Sequence, residues 1–230
     1  MKLFRYALKK TLPVMAGYIV LGTGFGLLLR VNGYGLLWAL AMSVFIYAGA
    51  LQYVGVSLLA SGASLVSVAL TALMVNARHL FYGISMIEEY KGAGVKKPYL
   101  IHGLSDETYS LVVTKDVPEG AKPHTYYFLV SFLDQCYWVL GSAIGSLLGS
   151  VIPFDMKGLD FSMTALFVTV FVEQWMKNKE HRPAIFGLLG SLICLLILGA
   201  DKFVVPSMMV IIVILSILRR PIERKEKEHE

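Results

Sequence analysis

The chain has 230 residues, of which 56% are hydrophobic and only 16% charged, and its mean hydropathy is +0.64. An ordinary soluble domain carries about 25% charged residues, so these figures exclude a soluble enzyme, a disordered chain and a secreted disulfide scaffold. The formal charge of +5 is no nucleic-acid signature, because the basic residues lie in short patches between or beyond apolar runs.

Seven apolar segments follow one another at about 12–29, 36–60, 63–82, 126–150, 159–176, 183–199 and 203–218. A helix needs about 20 residues to cross a 30 Å hydrocarbon core. The fold class expected is therefore all-α, a polytopic membrane helical bundle forming one integral membrane domain over 1–230. Residues 219–230 form its solvated, mixed-charge tail. The first segment follows Lys2, Arg5, Lys9 and Lys10 and lacks a small-residue cleavage site, so it reads as a retained helix. Cys136 and Cys194 lie inside apolar runs and read as small buried hydrophobes.

Charge bias bears on the number of crossings. The loop with Lys91, Lys96, Lys97, Lys115 and Lys122 reads as cytoplasmic, as do the N-terminal patch and the basic tail. Three plain crossings between the first patch and that loop contradict this. Either one segment in 36–82 is re-entrant or broken, which leaves six crossings, or all seven cross and the bias is locally overruled. Both remain open at this level. Irregular backbone at membrane depth is tolerated only where protein or a water-filled cavity covers it, and such breaks are where transporters bind substrate.

The segments also carry polar groups. In 36–60, Gln52 follows Ala48-Gly49-Ala50-Leu51, which suits tight packing or a break with exposed backbone. Asn76, Arg78 and His79 close the third segment; an arginine there more commonly snorkels to lipid headgroups, though its planar fork also suits a substrate carboxylate. His102 and Asp106 stand four apart, but no third metal ligand accompanies them, and Ser105 reads as the N-cap of a short helix led by Asp106 and Glu107. Asp134 sits near the middle of 126–150, where a carboxylate costs about 2.5–3.5 kcal/mol on insertion scales and faces the bundle interior. It either carries a proton or makes a structural hydrogen bond. Gly141, Gly145 and Gly149, with Gly22 and Gly26 on the first segment, recur at the spacing that lets two helices approach closely. No HExxH, phosphate-binding loop or GxSxG motif is present, so neither metal, cofactor nor enzyme is expected.

Together, Gly22-Thr23-Gly24-Phe25-Gly26, Ser43 with Tyr47-Ala48-Gly49-Ala50-Leu51-Gln52, Asn76-Ala77-Arg78-His79-Leu80-Phe81-Tyr82-Gly83 and Leu104-Ser105-Asp106-Glu107-Thr108-Tyr109 resemble the AzlC family. Ser105 stands where threonine is expected, and the second half of the chain matches in hydropathy more than in motif. The resemblance implies a multi-pass permease of the cell membrane that exports leucine, isoleucine, valine and related amino acids. It further implies proton-driven coupling and a small AzlD-like membrane subunit as partner, besides membrane lipid and no nucleic acid. On this reading Gln52, Asn76, Arg78 and His79 line the substrate site, while Asp134, Asp106 and Glu107 are the proton-handling candidates. The alternative is a membrane-embedded enzyme acting on lipid or peptide with His79, His102 and Asp106.

Overall fold

The computed structural model describes residues 2–151, 168, 171–172, 175–176, 181–199, 206–207, 209–211 and 213–214. The chain divides into two units, Met1–Leu166 and Phe167–Glu230. All regular structure among the described residues is helical.

The first unit is built on α1 (Lys2–Val31) and α8 (Pro123–Val151). Their 30 and 29 residues correspond to about 45 and 43 Å of helix, enough to cross a bilayer. Both are longer than their apolar runs because the flanking polar residues continue the same hydrogen-bond ladder. They meet along a line of glycines. A β-carbon at Gly22 would lie 2.9 Å from the carbonyl oxygen of Trp138, and one at Gly141 would lie 2.8 Å from that of Ile19. One at Gly26 would collide with the backbone of Ser142, one at Gly145 with the backbone of Thr23, and one at Gly149 would touch the stem of Arg30. Trp138 fills the groove beside this line, edge-on to Tyr18 at 5.3 Å and stacked on Phe25 at 6.3 Å. The opposite face of α8 shows Phe132, Cys136 and Leu140 outward at helical spacing. Cys136 is therefore exposed, against the expectation of burial, because its position in the turn places it on the outer stripe.

The segment 36–60 is not one helix. It comprises α2 (Leu36–Phe45) and α3 (Gly49–Ala60), each too short to cross alone. Between them Tyr47 holds φ +43°, a left-handed conformation unfavourable for a side chain with a β-carbon, and Ala48 is extended. The chain doubles back there. Gln52 Nε2 donates to Ser43 Oγ at 3.3 Å, and Met42 Cε lies 3.4 Å from a β-carbon built on Gly55. In a straight helix those pairs would be about 13 and 20 Å apart.

The third segment is broken as well, into α4 (Leu65–Val75) and α5 (Ala77–Ser85), bent by 46° at Asn76. Asparagine competes for backbone hydrogen bonds and is a poor helix-interior residue; here its N–H closes α4 and its carbonyl accepts from His79. The sequence suggested one irregular segment in 36–82, and the structure has two. Leu65, Val66, Leu70, Leu73, Leu80, Phe81 and Ile84 point outward, as lipid-facing residues do.

The polar stretch before α8 holds a 3-10 turn (Gly94–Lys96), α6 (Lys97–His102) and α7 (Asp106–Val112). Ser105 caps α7 by accepting from the Thr108 N–H, as its position suggested. Outside the spans, the hydrogen bond from Lys10 holds the Asp116 carboxyl below the ordinary carboxylate value, and the bond to Glu89 raises the Lys115 ammonium.

In the second unit, α9 (Arg182–Leu198) begins with Pro183 at a position where no N–H is needed, and it buries Gly190 and Cys194. Gly190 faces Val210 and Ile211. The apolar runs at 159–176 and 203–218 lie largely outside the described residues, and the tail at 219–230 lies wholly outside them.

Candidate functional site

Three polar groupings lie in the first unit, and they divide the residues singled out from the sequence. Gln52, on α3, is fully buried. Its carbonyl accepts from Trp138 Nε1 at 2.8 Å, and its amide reaches Ser43, whose hydroxyl donates to Ser142 at 2.9 Å. These bonds tie the doubled-back α2–α3 segment to α8. Gln52 is thus separated in its contacts from Asn76, Arg78 and His79.

Those three stand together at the bend of α4 into α5. Arg78 Nη1 pairs with Asp106 Oδ2 of α7 at 2.6 Å. Tyr82 stacks on Tyr109 at 4.5 Å, and Ser85 donates to the Tyr109 hydroxyl, so the α5 face is fixed to α7. Asn76 Oδ1, Arg78 Nε and His79 Nδ1 are each buried without a hydrogen-bond partner among the described residues. Buried polar atoms in folded proteins are nearly always satisfied, and the His79 ring also interacts with the Asn76 backbone.

The third grouping surrounds Asp134, which is fully buried on α8. Its Oδ2 accepts from Thr108 Oγ1 at 2.8 Å, while Oδ1 has no partner among the described residues. Tyr47, at the fold-back between α2 and α3, lies beside Tyr18 and Thr108 within electrostatic reach of Asp134 and Glu107. Asp106 and Glu107 are consecutive yet do different things. Asp106 turns to Arg78, and Glu107 accepts from the Tyr18 hydroxyl at 2.7 Å. His102, the last residue of α6, contacts the Val44 carbonyl at 2.9 Å, and Gln135 donates to the same oxygen at 3.1 Å. Together they satisfy a carbonyl that the end of α2 leaves open.

Reading along the chain did not single out Tyr18, Tyr47, Thr108 or Trp138 as partners of these groups. Tyr18 sits in a glycine-flanked apolar stretch, and Thr108 reads as an ordinary residue of a short helix. Their importance arises only when α1, α7 and α8 come together.

The AzlC family profile, described as AzlC protein, matches residues 13–152. The chain belongs to the AzlC family. Every candidate residue lies inside that match, Asp134 included. The chain is 42% identical over 223 residues to the branched-chain amino acid transport protein AzlC of Bacillus subtilis strain 168, a comparison covering 97% of this chain and 88% of that protein. It is 38% identical over 223 residues to a membrane protein of Helicobacter pylori strain 26695, covering 97% and 98% of the two chains. It is 29% identical over 198 residues to the inner membrane protein YgaZ of Escherichia coli K12, covering 82% and 80%. No solved structure matches. As an AzlC-family member with these helices, the chain is a multi-pass membrane protein with a transport role and not an enzyme.

Proposed function

We infer that this chain is the larger subunit of a secondary-active exporter of branched-chain amino acids: leucine, isoleucine, valine and close analogues. On this reading it works in the cell membrane with a small AzlD-like membrane subunit, and the proton gradient drives it. The observation that carries the reading is the ion pair at the α4–α5 bend, where Arg78 faces Asp106 beside the buried, unbonded Asn76 Oδ1. A zwitterion entering there offers each member of the pair a new counter-charge. Its carboxylate fits the planar fork of Arg78, and its ammonium fits Asp106. Asn76 Oδ1 accepts a further N–H. The apolar side chain then rests against the surrounding aliphatic surface.

The substrate class agrees with the name of the Bacillus subtilis relative. Efflux of preloaded radiolabelled leucine, from cells making this chain with and without the small subunit, tests it. Efflux that needs both chains and stops with a protonophore is the expected result. Unchanged retention of leucine, valine and methionine with both chains present would overturn the substrate assignment.

A further inference from the structure

Four consecutive oxygen–oxygen contacts join Glu107 to Asp134: Glu107 Oε2 to Tyr18 OH at 2.7 Å, Tyr18 OH to Ser105 Oγ at 2.6 Å, Ser105 Oγ to Thr108 Oγ1 at 3.1 Å, and Thr108 Oγ1 to Asp134 Oδ2 at 2.8 Å. All are within hydrogen-bond distance, and a hydrogen bond needs a proton between its oxygens. The three hydroxyls of Tyr18, Ser105 and Thr108 supply three protons for these four contacts. With both carboxylates ionised, one contact would hold two oxygens together with nothing between them. The Thr108 N–H bond to Ser105 Oγ is a separate interaction, and Tyr47 takes part in none of the four. Water is excluded from most of the path: Tyr18 is 5% exposed, Ser105 8%, and Thr108 and Asp134 0%. Glu107 is partly exposed as a residue, but its carboxyl is enclosed like that of Asp134.

We propose that Glu107 and Asp134 share one proton through the Tyr18–Ser105–Thr108 chain, which passes it between the two carboxyls. In one arrangement the Glu107 carboxyl is the acid, and every hydroxyl donates toward Asp134. In the other, Asp134 is the acid and every hydroxyl donates toward Glu107. Passage from the first to the second breaks the O–H bond on Glu107 and forms one on Asp134. Each of the three hydroxyls gives up its proton to the next oxygen and receives one from the previous, so the total is conserved. Among the described residues, the charged and titratable groups facing the two ends are Arg78, His79 and Tyr82 of α5, Asp106 of α7, Tyr47 at the fold-back and Tyr99 of α6. Arg78 stands nearer the Glu107 end, so a substrate held at Arg78 acts on the same end of the chain. That last link rests on the function proposed above; the shared proton does not.

The test is the infrared spectrum of the full-length chain in lipid, in heavy water at neutral pH, where exposed carboxyls are ionised and only a held proton gives a carboxylic-acid C=O band. The wild type should show one such band. Glu107→Gln and Asp134→Asn each replace a carboxyl by an amide that donates into the chain. Either amide supplies the missing proton, so the remaining carboxyl ionises and the whole band falls about tenfold or more in each single variant. Tyr18→Phe keeps both carboxyls and removes one hydroxyl with two contacts, which also balances the count; the band should fall there too, and this variant serves if an end substitution does not fold. Thr108→Ser preserves every contact and should keep the band. A band surviving in Glu107→Gln or in Asp134→Asn would place the proton on one carboxyl alone and overturn the proposal, as would a wild type with no band. No substrate enters this measurement, so a failed leucine assay would leave its outcome untouched.

Discussion

Gly145 offers the sharpest test of what holds the bundle together. Its α-carbon lies so close to α1 that an added methyl would fall onto the carbonyl of Thr23, a backbone group that no rotamer change can move. Carbon atoms pack best at about 3.5–4.0 Å, so Gly145→Ala forces α1 and α8 apart by roughly 1 Å or more. A gap of about 1 Å forfeits about half of each contact's dispersion energy. Inside a bilayer this packing is the main cohesive term, because lipid is as apolar as the helix surface. Overpacking against a yielding core costs about 1–3 kcal/mol, and a rigid backbone on both sides places this site at about 3 kcal/mol. For a chain of this size that lowers Tm by roughly 6–12 °C, at about 2–4 °C for each kcal/mol. Gly17 is the control. A β-carbon there meets nothing within 4 Å, and replacing a helical glycine by alanine gains up to about 1 kcal/mol in propensity. Thermal denaturation of the two alanine variants in the same lipid should therefore move in opposite directions. Equal melting temperatures for Gly145→Ala and Gly17→Ala would refute the account of the α1–α8 seam.

Gln52→Leu should lower stability by about 1–3 kcal/mol, because the buried Trp138 Nε1 loses its acceptor; a melting temperature equal to the wild type's would show that the bond is not needed. Arg78→Lys keeps the charge and loses the planar fork, so leucine efflux should fall about tenfold at unchanged expression; normal efflux removes Arg78 from the substrate site. Asp116 titrates below the ordinary carboxylate value through its bond from Lys10. The contact is therefore fully present above the ordinary value and is lost as the pH falls through the lowered one. Lys10→Ala should raise the Asp116 midpoint, followed by carbon NMR, toward the ordinary carboxylate range, the bond from Tyr6 remaining, and an unmoved midpoint would mean that Lys10 does not set it.

Fold class was legible in the sequence because membrane helices announce themselves by length and apolarity alone. Gly22, Gly26, Gly141 and Gly145 were legible as packing residues because spacing on a helix fixes which positions share a face. Doubling-back at Tyr47 was only half legible. Charge parity pointed to irregularity in 36–82, but a non-glycine residue in the left-handed region carries no compositional mark, and the bend at Asn76 was hidden inside a plausible span. Reading Asp134 as a buried polar group needed nothing beyond its depth in 126–150. Its connection to Glu107 was invisible, since it runs through hydroxyls of α1 and of the capped start of α7, with steps of 87 residues from Tyr18 to Ser105 and 26 from Thr108 to Asp134. Local pattern reveals what a residue is suited for; which residues it meets depends on tertiary approach.

The glycine seam and the broken segments are two parts of one arrangement. A carboxyl held at the centre of a bilayer is useful to a transporter only if its surroundings are fixed well enough to keep water out and if something beside it can move. The α1–α8 seam supplies the first condition: Tyr18 and Asp134, the two residues that bring those helices into the proton-sharing chain, sit on backbones held together at glycine distance. The fold-back supplies the second. Tyr47 occupies an unfavourable backbone conformation at the tip of α2 and α3, with its side chain beside Thr108 and in reach of Asp134. Such strain persists only where neighbouring contacts over-determine it, and here those contacts include Gln52 to Trp138 and Val44 to His102 and Gln135. The charge of Asp134 is therefore felt at Tyr47, the strained residue of the turn.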